Sequence, residues 1–204
     1  MQAPKRTESW IRSTQHGQRR CRLVFLLMSL VMQGCSVFPQ MIRHTDPLSA
    51  EEHVRLGASY EAQGLRDNAA QQYRAALDLD RNNIPALVAW GNLAFEKGDW
   101  ENAKACYRRI LRLDPTHAGA NNNLAMVYLA TGTHLDIAEQ RARVALKQGD
   151  PLKPYVLDTF ASIYIKEGRL SEAHKALDDA VAAAPSDDLA LREQLAKTRE
   201  KLQL

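Results

Sequence analysis

The chain has 204 residues, 45% of them apolar and 25% charged, which is enough for one domain with a modest core and the composition of an ordinary globular protein. Its net charge of +3 is concentrated at one end: Lys5, Arg6, Arg12, Arg19, Arg20 and Arg22 face only Glu8 in the first 34 residues, and the remainder, with 21 cations and 23 acids, is slightly acidic. The basic balance is therefore no argument for nucleic-acid binding by the folded part. The three cysteines, Cys21, Cys35 and Cys106, have neither metal-type spacing nor the pattern of a disulfide framework.

In chain order, the basic stretch Arg19-Arg20-Cys21-Arg22 is followed by a ten-residue run, Leu23 to Met32, that is apolar except for Ser29. A bilayer-spanning helix needs about 20 such residues, whereas ten fits the hydrophobic region of a secretory signal peptide. Gln33-Gly34-Cys35 comes next. A small residue directly before a cysteine at this point resembles the lipobox of bacterial lipoproteins, with Met32 where Leu is usual and Gln33 where Ala or Ser is usual. The resemblance implies a signal peptide over 1–34, cleavage before Cys35 and acylation of that residue. Ser36 in the following position implies, by the same family's sorting rule, a lipid anchor in the outer membrane, facing the periplasm. The alternatives are a non-lipidated signal peptide or an uncleaved anchor, with Cys35 incidental. Residues 35–48, with Pro39 and Pro47 and no apolar period, read as the lipidated cysteine and a tether, which reaches at most about 45 Å.

Beyond the tether the chain repeats itself. A small residue recurs at Gly57, Gly91, Ala125 and Ala161, a glycine at Gly64, Gly98, Gly132 and Gly168, and an alanine at Ala69, Ala103, Ala138 and Ala173, at spacings of 34 to 36 residues. An aromatic recurs at Tyr60, Tyr128 and Tyr164, with Ala94 as the exception, and a large residue at Tyr73, Tyr107 and Leu177, with Ala142 as the exception. In these residues the chain resembles the tetratricopeptide repeat family over about 50–187. The resemblance implies an all-α fold, a right-handed superhelical solenoid of about four helix pairs. The repeats are expected at about 50–83, 84–117, 118–152 and 154–187, with 188–204 as an amphipathic capping helix. Ser49 with Glu52 reads as a capping box at the start. The third repeat departs most: Thr133-His134-Leu135 lengthens its inner turn by one residue, and Gln148 to Pro154 adds another. A local change of pitch, or a special contact, is expected there.

No pair of histidines has a metal-binding context, and no phosphate loop, dinucleotide fingerprint or nucleophile elbow is present. Cys106 and His53 read as core residues. The chain is thus read as a non-enzyme without metal or cofactor and without a small-molecule substrate. In the resembled family the first helices line a concave groove through the fifth, ninth and twelfth residues of each repeat. Carried over, these are Val54, Ala58 and Glu61, then Val88, Asn92 and Phe95, then Asn122, Met126 and Leu129, and finally Asp158, Ser162 and Ile165. Val54, Val88, Asn92, Phe95, Asn122, Met126, Leu129, Asp158, Ser162 and Ile165 form the expected partner-binding set, with apolar pockets for side chains and amides for a peptide backbone. Some of them could equally be repeat-stacking residues. Val54 and Ala58 stand where chaperone-binding members carry Lys and Asn, which argues against capture of an acidic chain terminus. Anchor, short tether and repeat array together resemble the small lipoproteins that assist type IV pilus secretins and Flp (tight-adherence) pilus assembly. That layout implies an envelope protein as partner, such as a pilus or secretin component, with the membrane reached only through the N-terminal lipid. The alternative is a scaffold for cell-wall or polysaccharide-export machinery.

Overall fold

In the computed structural model the described residues are 47–149 and 151–203; the expected signal peptide, Cys35 and the expected tether up to residue 46 lie outside them. Nine helices and no strand occur among the described residues: α1 (Ala50–Ala62), α2 (Arg66–Leu79), α3 (Ile84–Glu96), α4 (Trp100–Leu113), α5 (Ala118–Thr131), α6 (Leu135–Lys147), α7 (Lys153–Lys166), α8 (Leu170–Ala183) and α9 (Leu189–Leu202). The first eight form four antiparallel pairs, and each second helix also packs on the first helix of the next pair.

Local chemistry sets where the helices begin. Ser49 Oγ accepts from Glu52 N–H at 3.3 Å while Ser49 N–H donates to the Glu52 carboxylate at 2.7 Å, so the expected capping box is formed. Asn83, Asp99 and Asp188 side chains accept from the N–H three residues on, at 3.0, 3.2 and 3.0 Å, and His117 Nδ1 does the same for Ala120 at 3.1 Å. Each cap satisfies a donor that the helix start leaves orphaned. The inner turns close on left-handed glycines, as at Gly98 with φ 73°. In the third pair the extra residue is absorbed by His134, a non-glycine at φ 52°, whose ring meets Tyr128 edge-on at 5.7 Å.

Close approach within a pair depends on one complementary contact. A Cβ at Gly57 would lie 2.4 Å from the Tyr73 ring, and one at Gly91 would lie 2.8 Å from the Tyr107 ring. Both tyrosines are fully buried and carry their hydroxyls out to polar partners, Tyr73 to Glu61 Oε2 at 2.6 Å and Tyr107 to Asn92 Oδ1 at 2.9 Å. Where the first position is alanine, at Ala125 and Ala161, the facing residue has no ring to accommodate: Ala142 and Leu177.

One core cluster then runs from Leu87 to Leu202, with smaller ones under the first pair. His53 lies in that first pair, buried, its Nδ1 2.8 Å from Gln72 Oε1. The last helix, α9, buries Leu191, Leu195, Thr198 and Leu202 against α7 and α8. In register, Leu195 stands where the other first helices carry glycine or alanine, and it is buried in the main core.

The Gly57–Tyr73 contact yields a test. Overpacking a rigid buried ring costs about 1–3 kcal/mol, against a gain of about 1 kcal/mol from replacing a helical glycine by alanine. Gly57→Ala is therefore expected to lower stability, by up to about 2 kcal/mol, in urea unfolding followed by circular dichroism. Stability at or above the wild-type value would mean that the Tyr73 ring is free to move aside.

Candidate partner-binding groove

The first helices α1, α3, α5 and α7 are each flanked by their second helix on one side. The residues expected in the groove fall on these four helices, but the packing treats them unequally. Val54, Val88, Asn92, Phe95, Met126, Leu129, Ser162 and Ile165 are all half-exposed. Val88, Phe95, Leu129 and Ile165 rest with one side on the main core and the other on solvent, and Val54 packs on the small cluster of the first pair. The Phe95 ring is held edge-on against Trp100 with centroids 5.1 Å apart, which fixes its orientation. The result is an apolar stripe crossing consecutive repeats.

The polar members have structural duties. Asn92 Oδ1 accepts from both Tyr107 Oη and Asn123 Nδ2, each at 2.9 Å, and so ties the second pair together and to the third. Asn122 and Asp158 are only 7% and 4% exposed. Asn122 Nδ2 makes a single long contact of 3.7 Å with Met126 Sδ, and its Oδ1 is buried with no hydrogen-bond partner. Asp158 Oδ2 accepts from Gln194 Nε2 of α9 at 2.5 Å, while its Oδ1 is likewise without a partner. These two residues lie inside a seam between helices and do not line open groove. The reason is that α5, α7 and α9 pack along one another more extensively than α1, α3 and α5 do.

A polar cluster that the sequence analysis did not single out locks the third and fourth pairs together. Glu139 on α6 accepts from Tyr164 Oη and Arg169 Nη1, each at 3.0 Å, and also from Arg143. Arg169 in addition reaches Glu167 and Glu172 and lies 4.2 Å above the Tyr164 ring. Burial pushes the Glu139 carboxyl up, but the hydrogen bonds from Arg143, Arg169 and Tyr164 outweigh it and hold it below the usual carboxylate range. The only advance signal for the cluster was the helical spacing of Glu139 and Arg143; Arg169, 30 residues on, could not be paired with them from sequence. Elsewhere burial pushes the Cys106 thiol up to about 11, so that this cysteine is a packing residue with little thiolate at neutral pH. Among the described residues no group of three or more His, Cys, Asp or Glu is placed to hold a metal ion.

Comparison with known proteins agrees with this architecture. Residues 53–83 match the family model described as a tetratricopeptide repeat, and residues 91–132 match that described as a TPR repeat. Tetratricopeptide repeat protein 14 of Mus musculus is 32% identical over 87 residues, which is 43% of this chain and 11% of that protein. The chain spans between 11% and 26% of the length of the first curated relatives it matches. Among solved structures, a tetratricopeptide repeat protein from Parabacteroides merdae superposes with a TM-score of 0.65 at 22% identity, over 78% of this chain and 61% of that one. Pseudomonas aeruginosa pilF superposes with a TM-score of 0.60 at 24% identity, over 78% and 72%. At these identities the likeness is one of fold, an all-α superhelix of helix pairs.

The Glu139 cluster gives a pH-dependent expectation. A carboxylate whose folded pKa lies below its unfolded one stabilises above the unfolded value, and the contribution is lost as pH falls through the folded one. Glu139→Gln is expected to cost about 1 kcal/mol at pH 7, and the gap to wild type should close as pH drops below about 4. Thermal melts of both proteins at pH 7 and pH 3 check this; an undiminished gap at pH 3 would mean that the loss comes from packing.

Proposed function

Starting from a chain that carries tetratricopeptide repeats, a scaffold suited to protein–protein interaction, we propose that it is a non-enzymatic outer-membrane lipoprotein. It holds an extended segment or helix of an envelope partner in its concave groove during pilus or secretin assembly. The observation that carries the binding part is the apolar stripe of Val88, Phe95, Leu129 and Ile165, half-exposed and crossing three consecutive first helices' neighbourhoods from the second repeat to the fourth. Apolar side chains left half in solvent at the same positions of successive repeats form a row of shallow pockets. An amphipathic or extended segment can fill these with alternate side chains. Beside the stripe, the Asn92 Nδ2 amide and the Ser162 hydroxyl offer hydrogen bonds to a backbone.

The anchor rests on the sequence: a short apolar run, then Gly34-Cys35, then a tether with two prolines. Several acyl chains on Cys35 hold a protein at a membrane because each buried CH₂ contributes about 0.8 kcal/mol. The pathway rests on the resemblance in layout to the lipoproteins that assist pilus secretins; the fold shared with pilF is compatible with it and bears on architecture alone.

Two experiments test the two halves. Cys35→Ala is expected to move the protein from the membrane fraction to the soluble periplasm; retention in the membrane removes the lipid assignment. A photo-crosslinker at position 95, followed by mass spectrometry, is expected to capture a secretin or pilus component, and Phe95→Glu is expected to weaken that capture with little loss of helicity. Capture of a cell-wall or polysaccharide-export protein transfers the scaffold to that machinery. Unfolding of the Phe95→Glu variant would make Phe95 a core residue and withdraw it from the groove.

A further inference from the structure

Independently of the concave groove, the third junction between helix pairs differs from the first two in its arginine contacts. Arginines recur at Arg74, Arg108 and Arg143, on α2, α4 and α6. At the first junction between pairs the Arg74 guanidinium lies 4.4 Å above the Trp90 ring. At the second, Arg108 Nη2 donates to Tyr128 Oη at 3.0 Å. Arg74 thus covers an aromatic ring on the following first helix, and Arg108 holds the hydroxyl of one. At the third junction Arg143 instead turns back along its own helix to Glu139, and Tyr164 is covered by Arg169 from its own repeat.

Beside Arg143 and Tyr164, between α6 and α8, lies an open furrow. It holds a cavity of about 260 Å³ floored by Leu146, Leu157 and Phe160. A second space of about 670 Å³ continues from it past Gly149 and Lys153, sharing Leu146, Leu157 and Asp179. Its rim is unevenly charged. On α8, Glu172 and Asp178 are already engaged by Arg169 and Arg199. Lys175 and Lys153 are exposed and make no ion pair among the described residues, and Asp179 is the one lining acid without a partner. The free charge of the cleft is therefore net positive around an apolar floor.

We propose that this outer cleft is a second docking site, built to take an acidic amphipathic helix of a partner protein. The helix would insert one large apolar side chain over Leu157 and Phe160 and place carboxylates beside Lys153 and Lys175. The apolar floor selects the inserted side chain, and the unpaired lysines select the sign of its neighbours. The same packing accounts for both faces of the third and fourth pairs. On the concave side the first helices close over Asn122 and Asp158; on the outer side the furrow stands open.

The test uses the full chain and two fluorescein-labelled amphipathic peptides of about 14 residues, close to four helical turns. One has a Leu/Trp face and Glu elsewhere; in the other every Glu is Lys. In anisotropy titrations the acidic peptide is expected to bind at least about tenfold more tightly than the basic one. Lys153→Glu with Lys175→Glu, both at exposed positions, should reduce its affinity about tenfold or more, with unchanged circular dichroism, while Phe95→Glu in the groove should leave it unaltered. The proposal is overturned if the acidic peptide does not bind, if both peptides bind equally, or if the double lysine variant binds as wild type does. Loss of binding in Phe95→Glu alone would place the peptide in the concave groove and overturn it as well. Because the lysine variants do not touch the groove and Phe95→Glu does not touch the cleft, the two sites fail separately.

Discussion

The distance at which the two helices of a pair can pass governs the rest of this fold. A short helix pair has too little apolar surface to stand alone, so each must bury its face against the next. That is possible only if the members of a pair first come close enough to act as one unit. At Gly57 and Gly91 the absence of a Cβ lets a tyrosine ring lie directly on the helix backbone, and the tyrosine then carries its hydroxyl across to a polar partner on the same first helix. The contact combines area burial with one oriented hydrogen bond, which sets both the spacing of the helices and their rotation.

The third pair relaxes that rule, and much of the molecule's asymmetry accompanies the change. Its inner face is alanine on alanine, at Ala125 and Ala142, its inner turn carries an extra residue in the left-handed His134, and its link to the next pair is irregular. From this point onward the first helices lie closer together, polar residues are drawn into the seam, and the second helices α6 and α8 leave a furrow between them. The Glu139–Arg169 cluster bridges the same junction. Tightening of one face and opening of the other are what rigid helix pairs do when they tilt about a common axis, because packed interiors do not stretch.

Among the described residues, Asn122 Oδ1 and Asp158 Oδ1 are buried oxygens with no hydrogen-bond partner. Leaving such a group without a partner costs about 1–3 kcal/mol, so the seam is the place where the array has spent stability on close packing. Asp158 is partly compensated by Gln194 of the last helix. Through Gln194, and through Asp188 accepting from Tyr155 Oη at 2.5 Å, that helix ties down α7.

Much of the architecture was legible in the sequence because it is set by short-range chemistry that recurs. Glycines that end a helix, side chains that cap one, and small residues facing large ones at intervals of 34 to 36 residues are each readable within a single repeat, and their repetition makes the all-α superhelix hard to mistake. That apolar residues such as Phe95, Leu129 and Ile165 lie at matching positions of the first helices was legible for the same reason, since their placement follows from helical phase. What the sequence could not state is which of those positions remain open. Val88 and Asn122 hold the same repeat position on neighbouring first helices, yet the first is half-exposed and the second is sealed in a seam, because coverage depends on how far neighbouring helices tilt. Asp158 is covered by a residue 36 positions away, and Arg143 differs from Arg74 and Arg108 only in the partner it finds. Periodicity determined the elements and their order; the tilt between rigid pairs, a sum of many small contacts across distant residues, decided which surfaces face solvent.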